Sequence, residues 1–158
     1  MRGLSLVRSS VRAVIVEDGK LLCVKLVDCL DEGQIYYYML PGGEALTIEN
    51  MFDAVKRHCL NKLNLKVKVH DLLFVRDYES HQYNGHESHL IHETEHIFLC
   101  HVVGKQNELI GPHSDCNQIG VEWIPIRKLT EYEFSPPQLS QVLWSFCRGD
   151  DVDIYLNE

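Results

Sequence analysis

Leu40-Pro41-Gly42-Gly43 closes a strand-like run, and a helix-like run bearing Glu49, Arg57, His58, Asn61 and Lys62 follows it. Gly42 and Gly43 either let backbone amides and carbonyls approach a ligand closely or serve only a tight turn. Positions 58, 61 and 62 are spaced i, i+3 and i+4, so one helix face presents an imidazole, an amide and an ammonium. From Ala54 to Val69 there are five cations and no acidic side chain. Lys62 has two readings on such a face: a solvated helix lysine, or an ammonium neutralising a bound phosphate as a point charge. Glu49 sits where a carboxylate complements the amino-terminal dipole of a helix, and Arg57 follows two turns along the same side.

The elements that must position these residues are legible as patterns. Val11–Val16 and Leu21–Val27 are β-branched and leucine-rich runs separated by Glu17-Asp18-Gly19-Lys20, which predicts a β-hairpin. A polar loop from Asp28 to Gly33 precedes a strand over Ile35–Leu40, which stops at Pro41-Gly42-Gly43 in a loop with freed backbone. Between Ile48 and Leu63, Met51, Val55, Cys59 and Leu63 recur every four positions and predict an amphipathic helix. Strands are expected over Leu65–Val75, Ile91–Val103 and Val121–Ile126, with a polar, histidine-rich loop over Glu79–Leu90. Ser135-Pro136-Pro137 introduces a last helix over Gln138–Cys147, and the acidic Asp150–Glu158 end reads as a loose tail. Strands followed by single helices in one short chain give an α+β sandwich.

The spacing from Gly43 through Glu49 and Arg57 to the apolar positions Cys59 and Leu65 resembles a Nudix box, in register without a gap. The resemblance spans roughly residues 8 to 147, because the order of strands and helices around the box is also that of the Nudix hydrolase superfamily. It implies an α+β, Nudix-type α/β/α sandwich with a mixed β-sheet, with residues 1–147 a single domain and 148–158 an acidic C-terminal tail. In that family, glutamates of the box hold magnesium ions that polarise a diphosphate and activate water. Three of them are replaced here, by His58, Asn61 and Lys62, and the late glycine of the box is Asn64. Glu49 and Arg57 survive as the pair that in the family is largely structural, alongside Gly42 and Gly43.

The resemblance therefore implies a degenerate member, a pseudoenzyme with lost or strongly reduced diphosphate hydrolysis that binds a nucleotide-like ligand. The alternative is an active or residually active metal-dependent hydrolase of a nucleoside diphosphate derivative such as ADP-ribose, a nucleotide sugar or an NTP. No metal cofactor is expected on the first reading; on the second, Mg²⁺ or Mn²⁺ would sit against the Gly42 backbone and Glu49. Tyr38, Glu44, Lys62 and Glu95 are the expected ligand-binding residues. Asp115 and Glu122 are further carboxylates that can stand near the family's site, and Tyr36 and Tyr37 join Tyr38 as aromatics able to stack on a base.

Composition narrows the partners. The 158 residues carry a net charge of -8, with residues 80–158 holding 4 basic and 12 acidic side chains, which disfavours nucleic acid. No run approaches the roughly 18 apolar residues of a membrane span. Six cysteines lack CxxC spacing and no secretory signal is legible at the amino terminus, so a cytoplasmic location is expected. A homodimer is possible. Five of the nine histidines lie between His81 and His96, where the spacing favours a mobile or substrate-facing loop over a metal site.

Overall fold

The computed structural model describes residues 6–104, 109 and 117–157. Its elements in chain order are β1 (Leu6–Glu17), β2 (Lys20–Leu30), β3 (Gly33–Met39), β4 (Gly42–Glu44), α1 (Met51–Leu63), β5 (Val67–Asn84), β6 (Glu87–Val102), β7 (Gln118–Pro125), a 3-10 turn (Ile126–Glu131), α2 (Pro137–Cys147) and β8 (Tyr155–Asn157).

The sheet is mixed. β1 runs parallel to β6 from Leu6↔Ile91 to Ile15↔Cys100, and antiparallel to β4 through Ser10↔Glu44, Val11↔Gly43 and Arg12↔Gly42. β2 lies between β3 and β7, both antiparallel to it, and β5 joins β6 to β8. The β1–β2 turn is made by Asp18 and Gly19 at φ +50° and +73°, the positive pair that a two-residue hairpin requires.

Both faces of the sheet are covered, so the strand runs are nearly continuous in apolar residues. Val11, Ala13 and Ile15 of β1 join Ala54, Val55, Cys59 and Leu63 of α1 in one core layer. Val14, Ile97 and Ile124 join Leu129, Leu139 and Leu143 in the other, against the 3-10 turn and α2. This is the expected α/β/α sandwich.

Four local expectations are corrected. Helix α1 starts at Met51 rather than Ile48, because the Asn50 side chain caps it by accepting the Asp53 N–H at 2.8 Å. Glu49 therefore precedes the helix. The segment after Pro41 is not free loop: Gly42–Glu44 forms β4 on the edge of β1. The histidine-rich segment is not a loop either, since β5 and β6 pair from Val67↔Val102 out to Asn84↔Glu87 and carry it as an extended hairpin. The carboxy-terminal segment is docked, with β8 parallel to β5 and Val152 and Leu156 packed on the α2-side core.

Candidate functional site

The start of β1, strand β4, helix α1 and the β2–β3 hairpin meet around a polar cavity of about 550 Å³, which Tyr78 of β5 and Glu93 of β6 also line. Close approach of β4 to β1 is what allows this. A Cβ on Gly42 would lie 2.0 Å from the Val11 carbonyl oxygen, and one on Gly43 would lie 2.6 Å from the His58 ring. Both glycines are therefore required by the space available, and Gly42 also holds φ +153°.

Helix α1 presents His58, Asn61 and Lys62 to this cavity, as the i, i+3, i+4 spacing predicts. Lys62 is only 9% exposed and donates its ammonium to the Gly42 carbonyl oxygen, which corrects the solvated-lysine reading. His58 lies 2.8 Å through Nε2 from the Glu44 carbonyl, which makes Nε2–H the donor. Its pKa falls to about 4, chiefly through burial, with the charges of Lys62, Arg57 and Arg12 adding to the effect and the Glu44 bond opposing it. His58 is neutral at pH 7.

Glu49 and Arg57 form a closed clamp. Arg57 Nε donates to Glu49 Oε2 at 3.0 Å, and Nη2 to Glu49 Oε1 at 2.7 Å and to the Glu44 carbonyl at 3.1 Å, while Oε1 also accepts the Leu46 N–H at 3.0 Å. The bonds from Arg57 hold the Glu49 carboxyl below its usual range. The pair ties the 44–49 segment to α1. At the far end of the helix, Asn64 occupies the left-handed region at φ +54° and its N–H closes on Leu60. Asparagine tolerates that conformation, so the glycine departure leaves the helix end intact.

Strand β1 supplies residues that the sequence reading missed. Arg8, Ser10 and Arg12 alternate along it and line the cavity. Arg12 donates to the Leu40 carbonyl at 3.0 Å and to Glu95 at 3.3 Å, and Arg8 pairs with Glu93. Burial alone would raise the Glu93 carboxyl, but bonds from Tyr78, Arg8 and Ser80 hold it below its usual range. Tyr78, Asn117 and Tyr37 complete the polar wall, and Val24, Leu26 and Met39 an apolar one. The signal that could have found them is the recurrence of polar residues at every second position, Arg8, Ser10 and Arg12, before the apolar run Ala13–Val16.

Other expected ligand residues are placed differently. Glu44 lines the cavity. Tyr38 does not: alternation along β3 turns it to the opposite face, edge-on to Tyr132 at 5.4 Å and bonded to Glu122, and the tyrosine reaching the cavity is Tyr37. Tyr36 is exposed beside Lys25. Glu95 lies behind the cavity wall, 2% exposed, accepting Arg12 at 3.3 Å and Arg76 at 3.2 Å. Asp115 lies outside the described residues. In the hairpin, His92 meets Asp77 at 3.3 Å, and among the described residues no group of three or more His, Cys, Asp or Glu side chains is arranged to hold a metal ion. Among the same residues no helix is long and apolar enough to cross a membrane.

No family model matches the sequence, and no curated protein is significantly similar to it. Solved structures are. A Nudix hydrolase from Nitrosomonas europaea superposes with a TM-score of 0.66 over 99% of this chain and 82% of its own, at 15% identity. The chain has the Nudix fold. An ADP-ribose pyrophosphatase from Streptococcus suis shares that fold at 14% identity, with TM-score 0.62 and coverage of 96% of this chain and 98% of its own. A UDP-X diphosphatase shares it at 20% identity, with TM-score 0.63 and coverage of 100% and 69%.

The divalent cation associated with the Nudix fold does not match the donors present here. Magnesium takes oxygen ligands, preferably anionic. At this face stand a neutral imidazole bonded to a carbonyl, an amide, and an ammonium on the Gly42 carbonyl oxygen; both Glu49 oxygens are engaged by Arg57. The carboxylates that line the cavity are Glu44 and Glu93, the latter paired with Arg8.

Proposed function

We propose that this chain binds an anionic, nucleotide-like small molecule in the cavity between β1, β4 and α1, and that its diphosphate hydrolysis is lost or strongly reduced. One observation carries the reading: Lys62 is buried with its ammonium on the Gly42 carbonyl. A unit charge about 4 Å from a divalent ion meets roughly 8 kcal/mol of repulsion at an effective dielectric near 20. A bound metal supplies several kcal/mol of transition-state stabilisation, and each ~1.4 kcal/mol is tenfold in rate. A lysine there is therefore expected to remove orders of magnitude from hydrolysis, and it adds positive charge to the cavity lining.

The ligand class is supported by the walls. Cations line one side, and Val24, Leu26, Met39 and Tyr37 offer an apolar and aromatic surface of the kind that accepts a base. Fold neighbours named as an ADP-ribose pyrophosphatase and a UDP-X diphosphatase point to nucleoside diphosphate derivatives. The test is a turnover screen over ADP-ribose, nucleotide sugars and NTPs with Mg²⁺ or Mn²⁺, run beside calorimetric titration of the same compounds in chelator. Binding without turnover is expected. Metal-dependent turnover that chelator abolishes would establish the hydrolase instead.

A further inference from the structure

We propose that Arg8, Ser10 and Arg12 of β1 form a metal-free phosphate cradle, with the Ser10 hydroxyl as hydrogen-bond donor to a phosphate oxygen between two fixed guanidiniums. The proposal rests on the ligand-binding reading above and specifies how the anion is held.

Residues i, i+2 and i+4 of a strand project to one face, and all three line the cavity. Ser10 is 6% exposed, yet its Oγ is buried without a hydrogen-bond partner. A buried hydroxyl left unpaired is costly, and most such groups are paired in native proteins. This one is flanked by the two arginines of its own strand face. The arginines are held in place: Glu95 and the Leu40 carbonyl fix Arg12, and Glu93 fixes Arg8. Side chains already ordered lose little freedom when a ligand arrives.

A third cation joins from across β4. Arg12 is the register partner of Gly42, and Lys62 reaches the Gly42 carbonyl from α1. Burial is the main cause of the depressed His58 pKa, and the nearby charges of Lys62, Arg57 and Arg12 add to it. A tetrahedral phosphate, with oxygens directed several ways, suits a hydroxyl set between guanidiniums better than a planar carboxylate does. The geometry thus assigns the ligand as a phosphate anion free of metal. That chemistry is shared by a nucleoside diphosphate and by inorganic pyrophosphate.

The test is calorimetric titration of ADP and of inorganic pyrophosphate into the full chain and into Ser10→Ala, each in EDTA and in excess Mg²⁺. Both ligands should bind in EDTA, ADP more tightly if the apolar wall takes the base, and Mg²⁺ should weaken binding by neutralising the anion. Ser10→Ala should bind both about tenfold more weakly while the Tm of the free protein stays level or rises, because an unpaired buried hydroxyl has been removed. Unchanged affinity in Ser10→Ala, or a lowered Tm of the free variant, overturns the cradle and leaves the ligand-binding reading standing. Binding strengthened by Mg²⁺ also overturns the cradle. Binding of neither ligand by the wild-type chain overturns both.

Discussion

The Lys62 ammonium rests on the Gly42 carbonyl oxygen, so that a side chain of α1 reaches the backbone of the three-residue strand β4 twenty positions earlier. A buried ammonium is tolerated only with oxygen partners, and the Gly42 carbonyl is one such partner. Replacing Lys62 with methionine keeps the stem and much of the volume while removing the charge. Lys62→Met should bind ADP in chelator at least tenfold more weakly than wild type, read by calorimetry. Equal affinity in the two proteins would take the lysine out of the ligand site.

Restoring carboxylates tests the same face from the opposite direction. In the triple variant His58→Glu, Asn61→Glu, Lys62→Glu, three anionic groups share one side of α1 beside Glu44. They should repel one another without metal, lowering Tm, and recover stability when magnesium is added. A ligand at 100 times its dissociation constant stabilises by about 2.7 kcal/mol, a shift well within reach of a thermal melt. A melt indifferent to Mg²⁺ would mean that these positions do not converge.

Acid stability should report on His58. In the folded chain its pKa is about 4, against an ordinary 6.5, with burial the principal cause. Between those values the unfolded chain binds a proton that the folded chain refuses, so stability is complete above pH 6.5 and declines as pH falls toward 4. That difference corresponds to about 3 kcal/mol. His58→Gln retains an amide donor for the Glu44 carbonyl and cannot titrate. Urea melts from pH 7 to 4.5 should show a shallower decline in the variant, and parallel curves would assign the acid sensitivity to other groups.

The layered fold was legible because its signals are local and repeated: four-residue apolar recurrence for α1, β-branched runs for β1 and β2, and Asp18-Gly19 between them. The expectation of a site beside Gly42 and Gly43 came instead from the resemblance of the Gly43-to-Arg57 spacing to a Nudix box, and these glycines line the cavity. Alternation alone does not decide which face of β3 looks inward, and it is Tyr37 rather than Tyr38 that reaches the cavity. Nor does it show that Glu95 is consumed by Arg12 and Arg76, since those pairings join residues far apart in sequence across the β1–β6 and β5–β6 ladders. The histidine-rich stretch lacks an apolar pattern because much of the β5–β6 hairpin stands exposed to solvent, so its polarity resembles that of a loop although the two strands pair out to Asn84↔Glu87.

The carboxy-terminal segment gives the last test. Its charge suggests a tail, yet Val75 donates to the Ile154 carbonyl at 2.8 Å, β8 continues the ladder through Leu156, and the Tyr155 hydroxyl donates to Asp77 at 2.8 Å. Val152 and Leu156 close the core under α2. Removing residues 149–158 deletes both side chains, exposes the apolar surface of the α2-side core that they cover and takes from the β5 edge at Val75–Asp77 its β8 partner. Partial burial of two such apolar groups contributes about 2 kcal/mol, so the shortened chain should melt several degrees lower while retaining the cavity between β1 and α1. ADP affinity below the new transition should match that of the full chain; a truncation that left Tm unchanged would return this segment to the role of a loose tail.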